Sequence, residues 1–326
     1  MARVIPIDSD RQGAIDAAIE ILSRARPIAL PTETVYGLAA DATDPAAITS
    51  IYETKGRPRF NPLICHMADL AMAERYADFD PISRALAARF WPGPLTLVVP
   101  LKAASSIHPL ATAGLDTVGI RVPKGFAGDL IRAFGKPLAA PSANSSGKIS
   151  PTTAEHVEAD LGGRIDLIVD GGPCPVGVES TIVKVEDGRI RLLRPGGIAA
   201  EDIEEATGLA VERLKPAGTA AIEAPGMLAS HYAPNAHVRL DAQSITPGEA
   251  LIRFGDAEVP GEKDASIVLN LSRHGDLAEA AANLFGYLKQ ADQAGPSGIA
   301  IMSIPMQGLG EAINDRLKRA AAPRNT

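Results

Sequence analysis

The chain has 326 residues, 46% of them hydrophobic and 22% charged, which is typical of a folded protein with one large and one smaller domain and excludes wholesale disorder. A formal net charge of −7 and an aromatic content of 4% disfavour a protein whose main function is to bind nucleic acid. We expect no membrane span and no secretory segment, and the two cysteines, without a CxxC spacing, predict a reducing cytoplasm.

The first elements are a helix, a buried strand and a polar loop. Apolar residues at helical spacing predict the helix over about 9–24, and residues 27–30 read as the strand. The loop Pro31 to Ala42, PTETVYGLAADA, follows the strand end, which is where open α/β sheets place their ligands. The alternative is a turn centred on Gly37 whose hydroxyl groups are satisfied locally.

A basic stretch, KGRPRFNPLICH, runs from Lys55 to His66 after a helix predicted from about Pro45 to Glu53. Its cations occupy every second position from Lys55 to Arg59, and its two prolines stiffen the backbone. The arginine side chains are therefore presented from a rigid segment. Arginine binds phosphate or carboxylate through paired hydrogen bonds, which suits an anionic ligand. The alternative is a basic turn that keeps a strand end soluble.

The middle of the chain alternates between helices and short strands. The patterns predict helices over about 70–76, 82–90 and 127–134, and strands over 63–66, 95–99, 118–122 and 138–140. Arg121 is the one charge in the strand VGIRV. Because burying a lone cation is costly, it must be ion-paired, exposed at an edge or directed at a ligand.

A second polar loop, PSANSSGKIS from Pro141 to Ser150, follows the strand 138–140. Gly147 and Lys148 resemble the end of a phosphate-binding P-loop, but the first glycine and the Ser or Thr after the lysine are missing. Its side chains could still bind phosphates. The alternative is a surface turn that caps the next helix through Thr152 or Thr153.

The rest of the chain divides at an irregular segment. A helix over 152–161, a strand over 165–169, a hairpin centred on Asp187-Gly188 and a helix over 199–206 come first. Residues 208–235 read as a linker, which we expect to be either a lid over a site or a docked strap. The chain then divides into domains 1–207 and 236–326, and the second has strands near 238–240, 250–254, 267–271 and 299–304 and helices near 277–292 and 309–321.

The motifs together resemble the threonylcarbamoyl-AMP synthase family, also called YrdC-like. PTETVYGLAADA, KGRPRFNPLICH, WPGPLTLVVP, VGIRVP, APSANSSGKISPT, ESTIVKV and RPGGI occur in that family's order over roughly residues 8–200. HYAP followed by a small domain resembles the long form. The resemblance implies an α/β fold with a twisted mixed sheet, helices on its faces and a concave site, plus a Rossmann-like C-terminal domain.

The resemblance also implies a reaction and its residues. L-threonine, bicarbonate or CO2, and ATP would give threonylcarbamoyl-AMP and pyrophosphate, with Mg²⁺ carried by ATP and no metal cage of protein side chains. The product would pass to a tRNA threonylcarbamoyl transferase, without stable tRNA binding by this chain. The expected catalytic residues are Lys55, Arg57, Ser142 and Asn144; threonine would contact Thr34, His66, Arg121, Ala140 and Ser180. ATP would contact Arg57, Asn61, Thr117, Ser142, Ser150, Arg194 and Tyr232, and His231 with Tyr232 would form a gate on the linker.

Two other functions compete with this one. One is an RNA-binding module of the same fold, which the acidic net charge disfavours. The other is a carbamoyl-adenylate synthase of hydrogenase maturation, which we would expect to carry acylphosphatase and zinc-finger segments that this sequence lacks.

Overall fold

The computed structural model describes residues 1–213, 223–225 and 231–323, and its strands form two sheets. Eleven strands make the first sheet: β1 Arg3–Pro6, β2 Ile28–Leu30, β3 Gly37–Asp41, β4 Ile64–His66, β5 Leu95–Pro100, β6 Thr117–Arg121, β7 Leu138–Ala139, β8 Leu167–Asp170, β9 Thr181–Glu186, β10 Arg189–Arg194 and β11 Val211–Arg213. Their order is β1-β8-β2-β3-β7-β4-β6-β5-β9-β10-β11, with parallel and antiparallel pairs mixed. The expected twisted mixed sheet is confirmed.

Helices flank this sheet and enclose a continuous apolar core. They are α1 Arg11–Leu22, α2 Pro45–Lys55, α3 Leu70–Ala73, α4 Pro81–Phe90, α5 Pro109–Thr112, α6 Phe126–Phe134, α7 Ala154–Leu161 and α8 Ala200–Thr207. Local chemistry sets the limits of α2. The Asp44 side chain accepts hydrogen bonds from two amides of the first turn, Pro45 occupies the first turn, and Gly56 ends the helix at a φ of 60°. These caps place Lys55 at the last position of α2.

The second sheet is parallel and belongs to the C-terminal part of the chain. Its strands are β12 Val238–Arg239, β13 Ala250–Arg253, β14 Ile267–Asn270 and β15 Ile299–Ile301, in the order β12-β15-β13-β14. Helix α9, Leu277–Gln293, packs on β13 and β14, and helix α10, Leu309–Ala321, packs on β12 and α9. No helix of the described residues is both long and apolar enough to cross a membrane.

The structure differs from the sequence prediction in three strands. Residues 37–41 are strand β3 rather than part of a loop, and all five are buried. Because both faces of β3 are covered, its sequence GLAAD lacks the alternation that marks a half-buried strand. Strand β1 was not predicted, and it pairs with β8 at the sheet edge.

Strand β11 falls within the predicted linker 208–235, yet it pairs in parallel with β10 of the large sheet. We therefore propose that the linker begins after Arg213. Parts of the predicted linker, 214–222 and 226–230, lie outside the described residues.

Candidate active site

A cleft brings together most of the residues predicted for the site. The predicted residues on its wall are Thr34, Lys55, Arg57, His66, Arg121, Ala140, Ser142, Asn144, Ser180, Arg194, His231 and Tyr232. They come from the ends of α2, β4, β6 and β10, from the linker, and from three polar loops, which follow β2 (31–36), β7 (140–150) and β8 (171–180). These side chains are far apart in sequence and converge on one cavity.

Lys55 joins the basic stretch to the second polar loop. Its Nζ donates hydrogen bonds to the backbone carbonyls of Ser142 and Asn144, and the side chain is buried. Burial, together with the cation of Arg57, lowers the pKa of Lys55 well below its ordinary value. The Asn144 Nδ2 donates to the carbonyls of Ser145 and Lys148, which fixes the loop. The Asn144 Oδ1 is buried and has no hydrogen-bond partner among the described residues.

Two arginines of the wall are also held by carbonyl groups. Arg57 Nη2 donates to the carbonyl of Pro62 at 2.9 Å, and Arg194 Nη2 donates to the carbonyl of Ser180 at 2.9 Å. Burial lowers the pKa of Arg57 to about 10 and also lowers the pKa of Arg194. Both guanidinium groups therefore face the cleft in surroundings that disfavour their charge.

Another part of the wall carries His66 and Arg121 at the matched ends of the parallel strands β4 and β6. Arg121 Nη2 lies 2.8 Å from Glu33 Oε1, but neither atom makes a hydrogen bond to a described residue. Burial and the nearby Arg121 lower the pKa of His66 to about 3, so its imidazole is neutral. The His66 Nδ1 is buried and lacks a hydrogen-bond partner among the described residues.

The two hydroxyl residues expected at this wall have buried neighbours. Thr34 Oγ1 lies 2.8 Å from the hydroxyl of Thr32, and Ser180 Oγ lies 2.8 Å from the hydroxyl of Thr96. Unpartnered polar atoms at His66 and Asn144 together indicate a ligand site, because buried polar groups are nearly always hydrogen-bonded.

Three predicted residues lie away from the cleft wall. Asn61 is buried, and its carbonyl accepts a hydrogen bond from Arg57 Nε at 3.3 Å. Ser150 is fully buried and donates to Glu179 Oε1 at 2.5 Å. Thr117 begins strand β6, four positions before Arg121, and is half-buried.

The linker pair reaches the wall from the C-terminal side. Tyr232 has a φ of 61° and is 1% exposed, and its ring stacks on Phe285 of α9 at 5.4 Å. His231 packs edge-on against Tyr232 at 4.1 Å. Tyr232 is therefore fixed against the C-terminal domain.

The prediction missed two carboxylates, Glu33 and Glu179, although both lie in the quoted motifs PTETVYG and ESTIVKV. Glu179 lines the cleft and forms an ion pair with Arg316 of helix α10 at 2.9 Å. The C-terminal domain therefore supplies the ion-pair partner of a carboxylate in the cleft. The only sequence signal for Glu179 was its position beside Ser180.

Comparison with known proteins places this fold in a defined class. A family profile described as telomere recombination, named for Sua5, YciO and YrdC, matches residues 20–196. A second profile, described as the threonylcarbamoyl-AMP synthase C-terminal domain, matches residues 198–322. The chain thus combines a Sua5/YrdC-type domain with a C-terminal domain of the long form.

Individual relatives narrow this class. The threonylcarbamoyl-AMP synthase of Bacillus subtilis (strain 168) is 43% identical over 95% of this chain and 93% of its own length. The crystal structure of P. abyssi Sua5 complexed with L-threonine superposes with a TM-score of 0.86 at 36% identity, over 98% of this chain and 97% of that one. A putative threonylcarbamoyl-AMP synthase of Mycobacterium tuberculosis (strain H37Rv) is 35% identical over only 61% of this chain and 91% of its own length. This chain belongs to the threonylcarbamoyl-AMP synthase family.

Proposed function

We propose that this protein is an L-threonylcarbamoyladenylate synthase, a nucleotidyltransferase of the cytoplasm. It condenses L-threonine, bicarbonate or CO2, and ATP to threonylcarbamoyl-AMP and pyrophosphate. The product passes to a tRNA threonylcarbamoyl transferase, and the negative net charge of this chain argues against stable tRNA binding of its own.

One observation carries the proposal: three basic side chains on the cleft wall, the buried Lys55 and Arg194 and the half-buried Arg57, are held by neutral carbonyls. Lys55, Arg57 and Arg194 form no ion pair within the described ranges 1–213, 223–225 and 231–323. Burying a cation without a counter-ion is costly, so this arrangement favours the binding of an anion. A triphosphate supplies that charge.

The reaction needs alignment and charge neutralisation more than a protein nucleophile. The amine of threonine forms a carbamate with CO2 or bicarbonate. A carbamate oxygen then attacks the α-phosphorus of ATP, the bond between the α-phosphorus and its bridging oxygen breaks, and pyrophosphate leaves with the electron pair. The cations of the wall stabilise the charge that develops on the phosphate oxygens.

Threonine binds the wall formed by Thr34, His66, Arg121, Ala140 and Ser180, with Arg121 directed at its carboxylate. The nucleotide contacts Arg57, Ser142, Arg194 and Tyr232 directly, and Lys55 and Asn144 complete the polar floor. Asn61, Thr117 and Ser150 support the nucleotide side from adjoining positions.

Mg²⁺ enters as part of the nucleotide substrate. The described residues contain no group of three or more His, Cys, Asp or Glu side chains able to hold a metal ion. Both oxygens of Glu179 on the wall already accept hydrogen bonds, from Ser150 and Arg316. Mg²⁺ bound with a nucleotide commonly keeps phosphate oxygens and water as its ligands.

Pyrophosphate release tests the proposal directly. The protein is incubated with MgATP and bicarbonate, and each amino acid is added in turn. We expect release that depends on L-threonine. Release that is indifferent to threonine, or that requires carbamoyl phosphate, would refute the assignment, and tight tRNA binding with a steep salt dependence and no turnover would favour the RNA-binding alternative.

A further inference from the structure

The C-terminal domain packs directly behind the three polar loops of the cleft. Val35, Ile149 and Val178, one from each loop, are buried in the same apolar cluster as the core of α9, α10 and the small sheet. Each lies beside a polar residue of the site: Val35 follows Thr34, Ile149 precedes Ser150, and Val178 precedes Glu179. The position of the three loops is therefore coupled to the docking of the C-terminal domain.

The third loop makes the tightest of these contacts. Gly177 has a φ of 74°, and a β-carbon built on it would lie 2.3 Å from the carbonyl oxygen of Ala281 in α9. No side chain fits between the loop and the helix at this point. The backbone that leads into Glu179 and Ser180 is thus pressed against the C-terminal domain.

Arg316 adds a polar contact to this apolar interface. The side chain is fully buried, its Nε donates to Glu179 Oε2 at 2.9 Å, and its Nη1 donates to the carbonyl of Pro195 at 2.7 Å. Its guanidinium group also lies 5.5 Å from the ring centroid of Tyr232. One side chain of α10 therefore contacts a cleft carboxylate, the segment after Arg194, and the linker.

The contact between Arg316 and Glu179 matters for the site because Glu179 is charged. Glu179 lines the cleft beside Ser180, and its other oxygen accepts the hydrogen bond from Ser150. Burial opposes ionisation of Glu179, but Arg316 and Arg194 more than offset this effect and lower its pKa to about 2. Without Arg316, an ionised Glu179 would draw Arg194 away from a nucleotide and would repel the phosphates.

We propose that Arg316 is a positioning residue for nucleotide binding: it neutralises and holds Glu179, so that Ser150 and Arg194 stay in place at the nucleotide side of the cleft. This inference rests on the proposed function for the identity of the nucleotide. It also assigns the C-terminal domain a specific task, which is to supply the counter-ion for a carboxylate of the N-terminal site.

Binding of MgATP by the full-length protein in the absence of threonine tests the inference without requiring turnover. The variants are Arg316→Met, which removes the charge and keeps an apolar chain, and Glu179→Gln combined with Arg316→Met, which removes both charges. Lys318→Met is the matched control, because Lys318 is an exposed cation two positions further along α10. Circular dichroism and thermal unfolding establish that each variant is folded.

We expect Arg316→Met to weaken the Kd for MgATP by about tenfold or more, and the double variant to recover to within about threefold of wild type. The KM for ATP should rise more than the KM for threonine. A merely structural role would not be rescued by removing the second charge, so failure of the double variant to bind better than Arg316→Met would overturn the inference.

If either variant does not fold, it is replaced by Arg316→Lys, which keeps the charge but loses the planar guanidinium group and its paired hydrogen bonds. We expect Arg316→Lys to bind MgATP several-fold more weakly than Lys318→Met does. Equal binding by these two variants would also overturn the inference. The proposed function fails separately, if wild-type protein binds MgATP but releases no pyrophosphate with threonine.

Discussion

Acidification from pH 7 to pH 5 should destabilise this protein through His66, whose imidazole is 4% exposed and has no hydrogen-bond partner at Nδ1 among the described residues. Burial and the cation of Arg121 lower its pKa from 6.5 to about 3 in the folded protein. The unfolded chain therefore binds a proton below pH 6.5 that the folded protein does not bind. The stabilisation is complete above the unfolded pKa and is lost as the pH falls towards the folded pKa.

The magnitude follows from the two pKa values. At pH 5, protonation of His66 in the unfolded chain lowers the free energy of unfolding by about 2 kcal/mol, compared with about 0.2 kcal/mol at pH 7. His66→Gln removes the titrating group and keeps a polar side chain of similar size. We expect the variant to lose about 2 kcal/mol less than wild type over this range.

Urea unfolding at both pH values, followed by circular dichroism, measures the difference. His237→Gln is the matched control, since His237 is exposed and the same substitution there removes no buried imidazole. An identical loss of stability in wild type and His66→Gln would refute the conclusion that His66 is buried in its neutral form.

Three further predictions concern the basic stretch, the linker and the domain contact. Arg57→Ala should lose turnover while staying folded, because Arg57 lines the cleft, whereas the exposed Arg59→Ala should be nearly silent; equal losses in a pyrophosphate-release assay would contradict this division. If residues 225–235, of which 226–230 lie outside the described residues, exclude water from the carbamate, their deletion should raise ATP hydrolysis relative to product formation. An unchanged ratio of released phosphate to product would exclude a protective role. Gly177→Ala should destabilise the protein by about 1–3 kcal/mol more than Gly188→Ala, because both glycines have a positive φ but only Gly177 contacts α9. Thermal unfolding measures the difference, and similar melting temperatures for the two variants would show that the contact with α9 relaxes freely.

Local sequence patterns predicted the parts of the fold whose causes are local. The hairpin centred on Asp187-Gly188 has both residues at positive φ, as its turn requires, and Thr153 caps α7 through its side chain. Strand β3 was missed because a central strand of Gly, Leu and Ala has neither alternation nor strong β propensity. The convergence of the polar loops was predictable because each follows a strand of one sheet.

The pairing of Glu179 with Arg316 could not be read from the sequence. The two residues are 137 positions apart, and α10 carries Lys318 and Arg319 close to Arg316 with nothing in the helical pattern to single it out. Only the docking of the C-terminal domain decides that Arg316 faces inward. Likewise, the sequence marked Arg121 as a cation that must be ion-paired, exposed at an edge or directed at a ligand, but it could not name Glu33, which lies on the loop after β2.

Charge compensation divides the cleft into two halves that match two different substrates. On one side, Lys55, Arg57 and Arg194 are held by carbonyls and form no ion pair within the described part of the chain. On the other side, Arg121 is paired with Glu33, and His66 is neutral. A triphosphate brings the negative charge that the first half lacks, whereas an amino acid zwitterion brings no net charge and needs a wall that is already balanced. The same comparison explains why Glu179, a carboxylate beside the cationic half, requires a counter-ion from outside the N-terminal domain. Without that counter-ion, Glu179 would pair with a cation that the nucleotide needs.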